Sequence, residues 1–147
     1  MAMLIAFVAV VALANYLLAL LLRPFSWHLT WQDLFGWLNA PFAWLMGVPA
    51  KDCLRVGQIL GERIVLNEFF GYLTLTRQKA ALDERSFVLA TYALCGFANF
   101  SSIAIQIGGI GGLVPSRRND LAQLGLRSMI GGLLACYLTA TIVGILI

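Results

Sequence analysis

Two short polar clusters stand out in otherwise apolar surroundings of this 147-residue sequence: Asn67-Glu68, and Asn99-Phe-Ser-Ser102. Glu68 lies within Ile64-Val-Leu-Asn-Glu-Phe-Phe-Gly-Tyr-Leu-Thr-Leu75. Holding a charge at membrane depth costs about 2.5–3.5 kcal/mol even on insertion scales, so such a carboxylate must face water or a partner and is a functional candidate. The competing reading is local, with Asn67 capping a helix and Glu68 at the interface. In Gly96-Phe-Ala-Asn-Phe-Ser-Ser102 a glycine and three small polar residues stand where a simple span would carry leucines. That composition suits a helix interrupted in mid-membrane, whose freed backbone groups and Asn and Ser side chains line a cavity and meet a polar solute. A continuous tilted helix, with Ser and Asn bonded to neighbouring helices, is the alternative. Hydrolysis by Ser101 or Ser102 with His28 is a poor third reading, because no nucleophile elbow or oxyanion-hole signature surrounds the serines. No catalytic residues are assigned, and the chain reads as a non-enzyme.

The elements that carry these groups belong to a membrane protein. Hydrophobic residues make up 61% of the chain and charged ones 12%, against roughly a quarter charged in soluble domains. A soluble enzyme or a nucleic-acid-binding domain is thereby excluded. The net charge of +3 reads as interfacial anchors and topology signals, since a nucleic-acid site needs a solvated basic stripe. Cys53, Cys95 and Cys136 are widely spaced and accompany a single histidine, so they read as packing residues, with no disulfide framework and no metal site. At about 20 residues per spanning helix there is room for only a few spans, which is small for a transporter built from paired repeats.

Along the chain, residues 1–22 read as a spanning helix, broken in character only by Asn15 and Tyr16 and ended by Arg23-Pro24. A signal peptide is disfavoured by the length of the run and by the lack of a preceding Lys or Arg. Residues 23–50 hold all four tryptophans, and Trp27, Trp31, Leu34, Phe35 and Leu38 fall at helical spacing. This predicts an amphipathic helix along the interface, bent or ended by Pro41, with His28 a bystander. The twelve-residue apolar run around Glu68 is too short to cross a bilayer. It lies between Lys51, Asp52, Arg55, Glu62 and Arg63 on one side and Arg77, Lys79, Asp83, Glu84 and Arg85 on the other. A re-entrant helical hairpin over about 51–85, with Asn67-Glu68 near its deep end, fits. An interrupted helix over about 86–114 and a last transmembrane helix over about 121–147 complete the second unit, residues 51–147. Gly108-Gly-Ile-Gly-Gly112 predicts close helix packing, since a phosphate loop would need a strand before it and a Lys after it. Gly132, Cys136, Ala140 and Gly144 recur every four residues as a ridge for tight contact, inside the protein or across subunits. Arg117, Arg118 and Arg127 argue for a cytoplasmic loop around Pro115–Asp120.

Three stretches go beyond composition. Gly61-Glu-Arg-Ile-Val-Leu-Asn-Glu-Phe-Phe-Gly-Tyr72 resembles the Gly-x-Lys-x-x-x-Asn-Glu-Phe-x-Ala-Tyr signature of the concentrative nucleoside transporters, with Arg63 where Lys is usual and Gly71 where Ala is common. Tyr92 to Gly109 resembles that family's second hallmark, and Ala40 to Pro49 is similar to a further family pattern. The resemblance covers essentially the whole chain and matches the carboxyl-terminal part of those proteins. It implies an all-α integral membrane fold: a scaffold spanning helix, an interfacial helix, a re-entrant hairpin, a broken transmembrane helix and a final transmembrane helix. It implies further that Glu68, with Asn67 beside it, hydrogen-bonds ribose hydroxyls, and that Phe97, Asn99 and Ser102 meet the nucleoside from the interrupted helix. The expected function is the carboxyl-terminal part of a sodium- or proton-coupled nucleoside symporter, working by alternating access in a plasma membrane such as the bacterial inner membrane. Its partners are the nucleoside, the bilayer, the amino-terminal half with the first inverted repeat, and two further copies in a homotrimer. No cofactor is expected, and the coupling-ion ligands belong to the first repeat. A truncated gene product, a fragment, or part of a split transporter fits equally, as does a small subunit with only a packing role.

Overall fold

A computed structural model describes residues 2–25 and 29–147. Trp27 and His28 fall outside the described residues. Every element among them is helical: α1 (Ala2–Leu22), α2 (Trp31–Leu45), α3 (Ala50–Val65), α4 (Glu68–Arg77), α5 (Glu84–Ala93), α6 (Phe100–Leu113) and α7 (Arg118–Leu146), with short 3-10 turns at Arg23–Phe25, Lys79–Ala81 and Pro115–Arg117. Among the described residues, one stretch, Pro115–Leu146, is long and apolar enough by itself to cross a bilayer, while Val8–Leu22 and Phe100–Leu113 are apolar but shorter.

The start of α2 is set by a capping box. Thr30 Oγ1 accepts from Asp33 N–H at 3.2 Å, and Asp33 Oδ2 accepts from Thr30 N–H at 3.0 Å, so two of the orphan amides at the helix start are matched. Asn15, a polar interruption of α1, is explained at the same place. It donates to Gln32 Oε1 and accepts from Trp31 N–H, each at 3.0 Å. Pro41 does not end α2, which runs on to Leu45. Nor does α2 rest on apolar side chains alone. Its Gly36 and Ala40 lie against Gly57 and Gly61 of α3 so closely that a methyl carbon on Gly57 would fall 2.6 Å from the Gly36 carbonyl oxygen, and one on Gly61 would fall 2.6 Å from the Gln32 carbonyl oxygen. Backbone-to-backbone approach of this kind needs glycine on both surfaces, and it makes α2 a packed partner of α3.

The chain turns from α2 into α3 at Gly47, whose φ of 91° suits only glycine. A two-residue turn at Leu66 and Asn67 then folds α4 back on α3. At the open end of this hairpin, the buried Asp52 accepts from the Ser86 hydroxyl at 2.6 Å and from Asp83 N–H at 2.9 Å, fastening α3 to the start of α5. Burial pushes the Asp52 carboxyl up. The Ser86 and Asp83 hydrogen bonds and the charges of Lys51 and Arg55 outweigh burial, and the group lies below the ordinary carboxylate range.

Helix α5 stops at Ala93 and the chain resumes as α6 at Phe100. Helix α7 begins at Arg118, earlier than residue 121, so the polar loop around 115–120 shrinks to a single 3-10 turn. The small-residue ridge of α7 is occupied within the chain. A methyl carbon added at Gly132 would fall 3.2 Å from the Ala98 methyl, Cys136 lies against Gly96, and Gly144 sits over the Met46 carbonyl. The run at Gly108–Gly112 behaves differently from the close packing expected of it. Gly109 and Gly112 have open space where a side chain would go, and Gly111 is covered by Arg118. The core gathers Val56, Ile59, Leu60, Leu75, Leu89 and Leu94 where α3, α4 and α5 meet. Tyr137 of α7 donates to the buried Asn39 of α2, adding a polar tie between those helices.

Candidate functional site

Two helices begin at an asparagine, and these are the polar clusters singled out in the sequence. Asn67, in extended backbone (φ −170°, ψ 175°), accepts from Phe70 N–H at 3.3 Å and caps α4. Asn99, also extended (φ −143°, ψ 167°), accepts from Ser102 N–H at 2.8 Å and caps α6. Asparagine is favoured here because its short carbonyl reaches the orphan amides of the first turn. Glu68 is the first residue of α4, where the partial positive charge of the helix start favours a carboxylate. The two caps are joined: Asn99 Nδ2 donates to Glu68 Oε2 at 2.6 Å.

Asn99 is almost fully buried and heavily bonded. Its carbonyl oxygen also accepts from the Ser101 and Ser102 hydroxyls, at 2.6 and 2.9 Å. Ser101 is buried beside it. Phe97, in contrast, is 78% exposed and projects from the segment between α5 and α6. Phe97, Asn99, Ser102 and Gln106 line a cavity of about 200 Å³, closed on the far side by Ser128 and Cys136 of α7. Asn67 and Glu68 are not among its lining residues and meet this group through the Glu68–Asn99 bond.

Arg63 was expected among the charged flanks of the hairpin, and the structure places it elsewhere. It is wholly buried. Nη1 donates to the Ala93 carbonyl and Nη2 to the Gly96 carbonyl, each at 2.7 Å, and Nη2 also lies 3.4 Å from Cys136 Sγ. A signal for this was present in the sequence. Val56, Ile59, Leu60 and Arg63 share one helical face, and the first three are core residues. Gln106 was also missed; it stands four residues beyond Ser102 on α6, one turn further along the same wall.

A carboxylate and an amide clasped between two helix starts, beside an exposed aromatic ring and short hydroxyls, form a site suited to holding a polar solute within an apolar helical protein. Fold and composition together define a helical membrane protein. Residues 1–144 match the family model described as Na+ dependent nucleoside transporter C-terminus, and the chain belongs to this family, the concentrative nucleoside transporters. It is 42% identical over 147 residues to an uncharacterized transporter, YutK, of Bacillus subtilis, covering 99% of this chain and 36% of that protein. Against sodium/nucleoside cotransporter 1 of Rattus norvegicus the identity is 42% over 159 residues, covering 97% of this chain and 24% of the relative. Among solved structures, a variant of the transporter CNTnw in its intermediate 2 state superposes with a TM-score of 0.92 at 36% identity, over 99% of this chain and 37% of that one. CNTnw in an inward-facing substrate-bound state gives 0.82 at 36% identity, over 97% and 36%. The chain thus spans little more than a third of the length of these bacterial and structural relatives.

Proposed function

We propose that this chain is the carboxyl-terminal part of an ion-coupled nucleoside symporter and supplies half of the nucleoside site. The Glu68–Asn99 bond between the starts of α4 and α6 carries the reading. A carboxylate held there can accept from the two vicinal hydroxyls of a ribose, and charge-assisted bonds of this kind are about twice as strong as neutral ones. Asn99 orients the carboxylate, Ser102 adds a short polar contact, and the exposed Phe97 ring offers a face to the solute. The Asn67 carbonyl is engaged in capping, which leaves its amide hydrogens as the donors at the hairpin tip.

The elements follow from the same reading. The sixteen residues of α3 extend about 24 Å at 1.5 Å each, short of the roughly 30 Å hydrocarbon core, and α4 is shorter still. The pair therefore acts as a re-entrant hairpin, α5 and α6 as a broken transmembrane helix, α1 and α7 as spanning helices, and α2 at the interface. Alternating access is supported by the relative CNTnw, whose structures include inward-facing, intermediate and outward-facing states. Sodium or proton coupling, with ligands supplied by the amino-terminal part, a homotrimeric assembly and a bacterial inner-membrane location complete the proposal.

The test is uptake of radiolabelled uridine by a transporter assembled from this segment and the amino-terminal portion of a relative. Glu68→Gln keeps the shape but removes the charge, and uptake should fall by at least about a hundredfold, the loss expected when charge-assisted bonds to both hydroxyls weaken together. Unchanged uptake would overturn the nucleoside site and favour a packing role.

A further inference from the structure

Arg63 is the largest of the fully buried side chains, and among the described residues no carboxylate forms an ion pair with it. Among the described residues the ion pairs are Lys51–Asp83 and Arg117–Asp120, both on exposed side chains. A buried cation costs several kcal/mol to desolvate, so what it binds must offset that cost. It binds the carbonyls of Ala93 and Gly96. Ala93 is the last residue of α5, where carbonyls have lost their partners four residues on and the helix end carries partial negative charge. The guanidinium fork thus occupies the place of the turn that is missing between α5 and α6. The same six-residue gap holds Phe97 and Asn99.

Arg63 also sits in the last turn of α3, directly before the tip that carries Asn67 and Glu68. One side chain therefore joins the hairpin to the helix interruption from beneath, while Asn99 and Glu68 join them at the tip. Its contact with Cys136 Sγ brings α7 into the same junction. We infer that Arg63 is a positioning residue of the solute site, bridging the interruption so that Phe97 and Asn99 stand at a fixed distance from Glu68 and the hairpin and interrupted helix act as one body. The inference rests on the reading of these residues as nucleoside contacts. Its chemistry also says which substitution is tolerated. Nε has no hydrogen-bond partner among the described residues, so the useful donors are the terminal ones. A lysine ammonium supplies terminal donors and a charge, whereas methionine keeps only the stem.

Two measurements test this. In the assembled transporter, Arg63→Met should raise the KM for uridine by at least about tenfold while Vmax per surface transporter changes by less than about threefold, and Arg63→Lys should stay within about threefold of the parent KM. The second readout uses the same assembled transporter in lipid vesicles, with Cys53→Ser, Cys95→Ser and a cysteine-free amino-terminal portion leaving Cys136 as the target of N-ethylmaleimide. Measured at a pH where the thiol is fully ionised in every variant, so that only access differs, alkylation should accelerate by about tenfold or more in Arg63→Met and little in Arg63→Lys, because the guanidinium and the Gly96 backbone cover the thiol. If Arg63→Met fails to reach the membrane, Gly96→Ala takes over the KM test, since its added methyl meets Cys136 Sγ and shifts the same carbonyl. A parent-like KM in the variant used, or unchanged alkylation, overturns the role of Arg63. The two readings fail separately. If Glu68→Gln abolishes uptake and Arg63→Met does not alter KM, the nucleoside site stands without Arg63; if Glu68→Gln is silent, the nucleoside site falls and alkylation alone decides whether Arg63 holds the junction.

Discussion

Asn99 shows how one side chain can serve structure and recognition together. Its carbonyl caps α6 and its amide hydrogen orients Glu68, so the two roles can be separated by chemistry. Asn99→Asp retains an acceptor for the cap but loses the donor and sets carboxylate against carboxylate. The KM for uridine should rise by about tenfold or more, and thermal stability in detergent should fall although the cap acceptor is kept, because a second carboxylate is buried against Glu68. Asn99→Ala loses both, and should also cost about 0.5–2 kcal/mol of stability through the missing cap. Asp52 makes a prediction about pH. Its folded carboxyl lies below the ordinary value of 3.8, so the stability it contributes is present above that value and is lost as pH falls through the lower, folded one. Asp52→Asn should lower the melting temperature at neutral pH, and the gap from the parent should close in melts recorded below about pH 4. The asparagine clusters were visible in the sequence because polar residues in an apolar chain are conspicuous. Arg63 was not, because a charge beside an apolar run looks like an anchor until its helical face is traced.

The contact of α2 with α3 illustrates what decides an element's role. The aromatic content of residues 31–45 argues for the membrane boundary, and Trp37 and Trp44 are exposed. Yet Gly36, Gly57 and Gly61 bring the two helix backbones together, which fixes α2 to the hairpin's first arm. Gly61→Val would drive a branched side chain into the Gln32 and Gly36 backbone. It should destabilise the chain by about 1–3 kcal/mol or prevent folding, whereas Gly112→Ala, in helix α6 with open space around it, should raise the detergent melting temperature slightly. Of the two effects expected of Pro41, ending the helix does not occur. A proline inside a helix removes one hydrogen bond, but α2 is packed closely on α3 at Gln32, Gly36 and Ala40 and runs on to Leu45.

Within the whole molecule, the last helix acts as a clamp. Its ridge from Gly132 to Gly144 is filled by Ala98, Gly96 and Met46 of the same chain, so that ridge is not free to form contacts between subunits. Near its carboxyl end Arg85 donates to the carbonyls of Gly47 and Gly144, fastening α7 to the start of α5 and the turn after α2. The hairpin, the interruption and α7 therefore meet at Arg63, Gly96 and Cys136, a junction made of residues more than 70 positions apart in sequence for its longest link.

Composition alone pointed to a membrane protein, since so few charges cannot cover a water-facing surface, and the lengths of the apolar runs pointed to helices. Local polar punctuation determined where helices start, because a cap is a contact between residues three apart. Only the tertiary structure decided that Glu68 and Asn99 touch, that a buried arginine bridges the gap between two helices, and that the α7 ridge is used within the chain. Each of those depends on residues distant in sequence being brought together by packing, and neither periodicity nor composition records which distant surfaces meet.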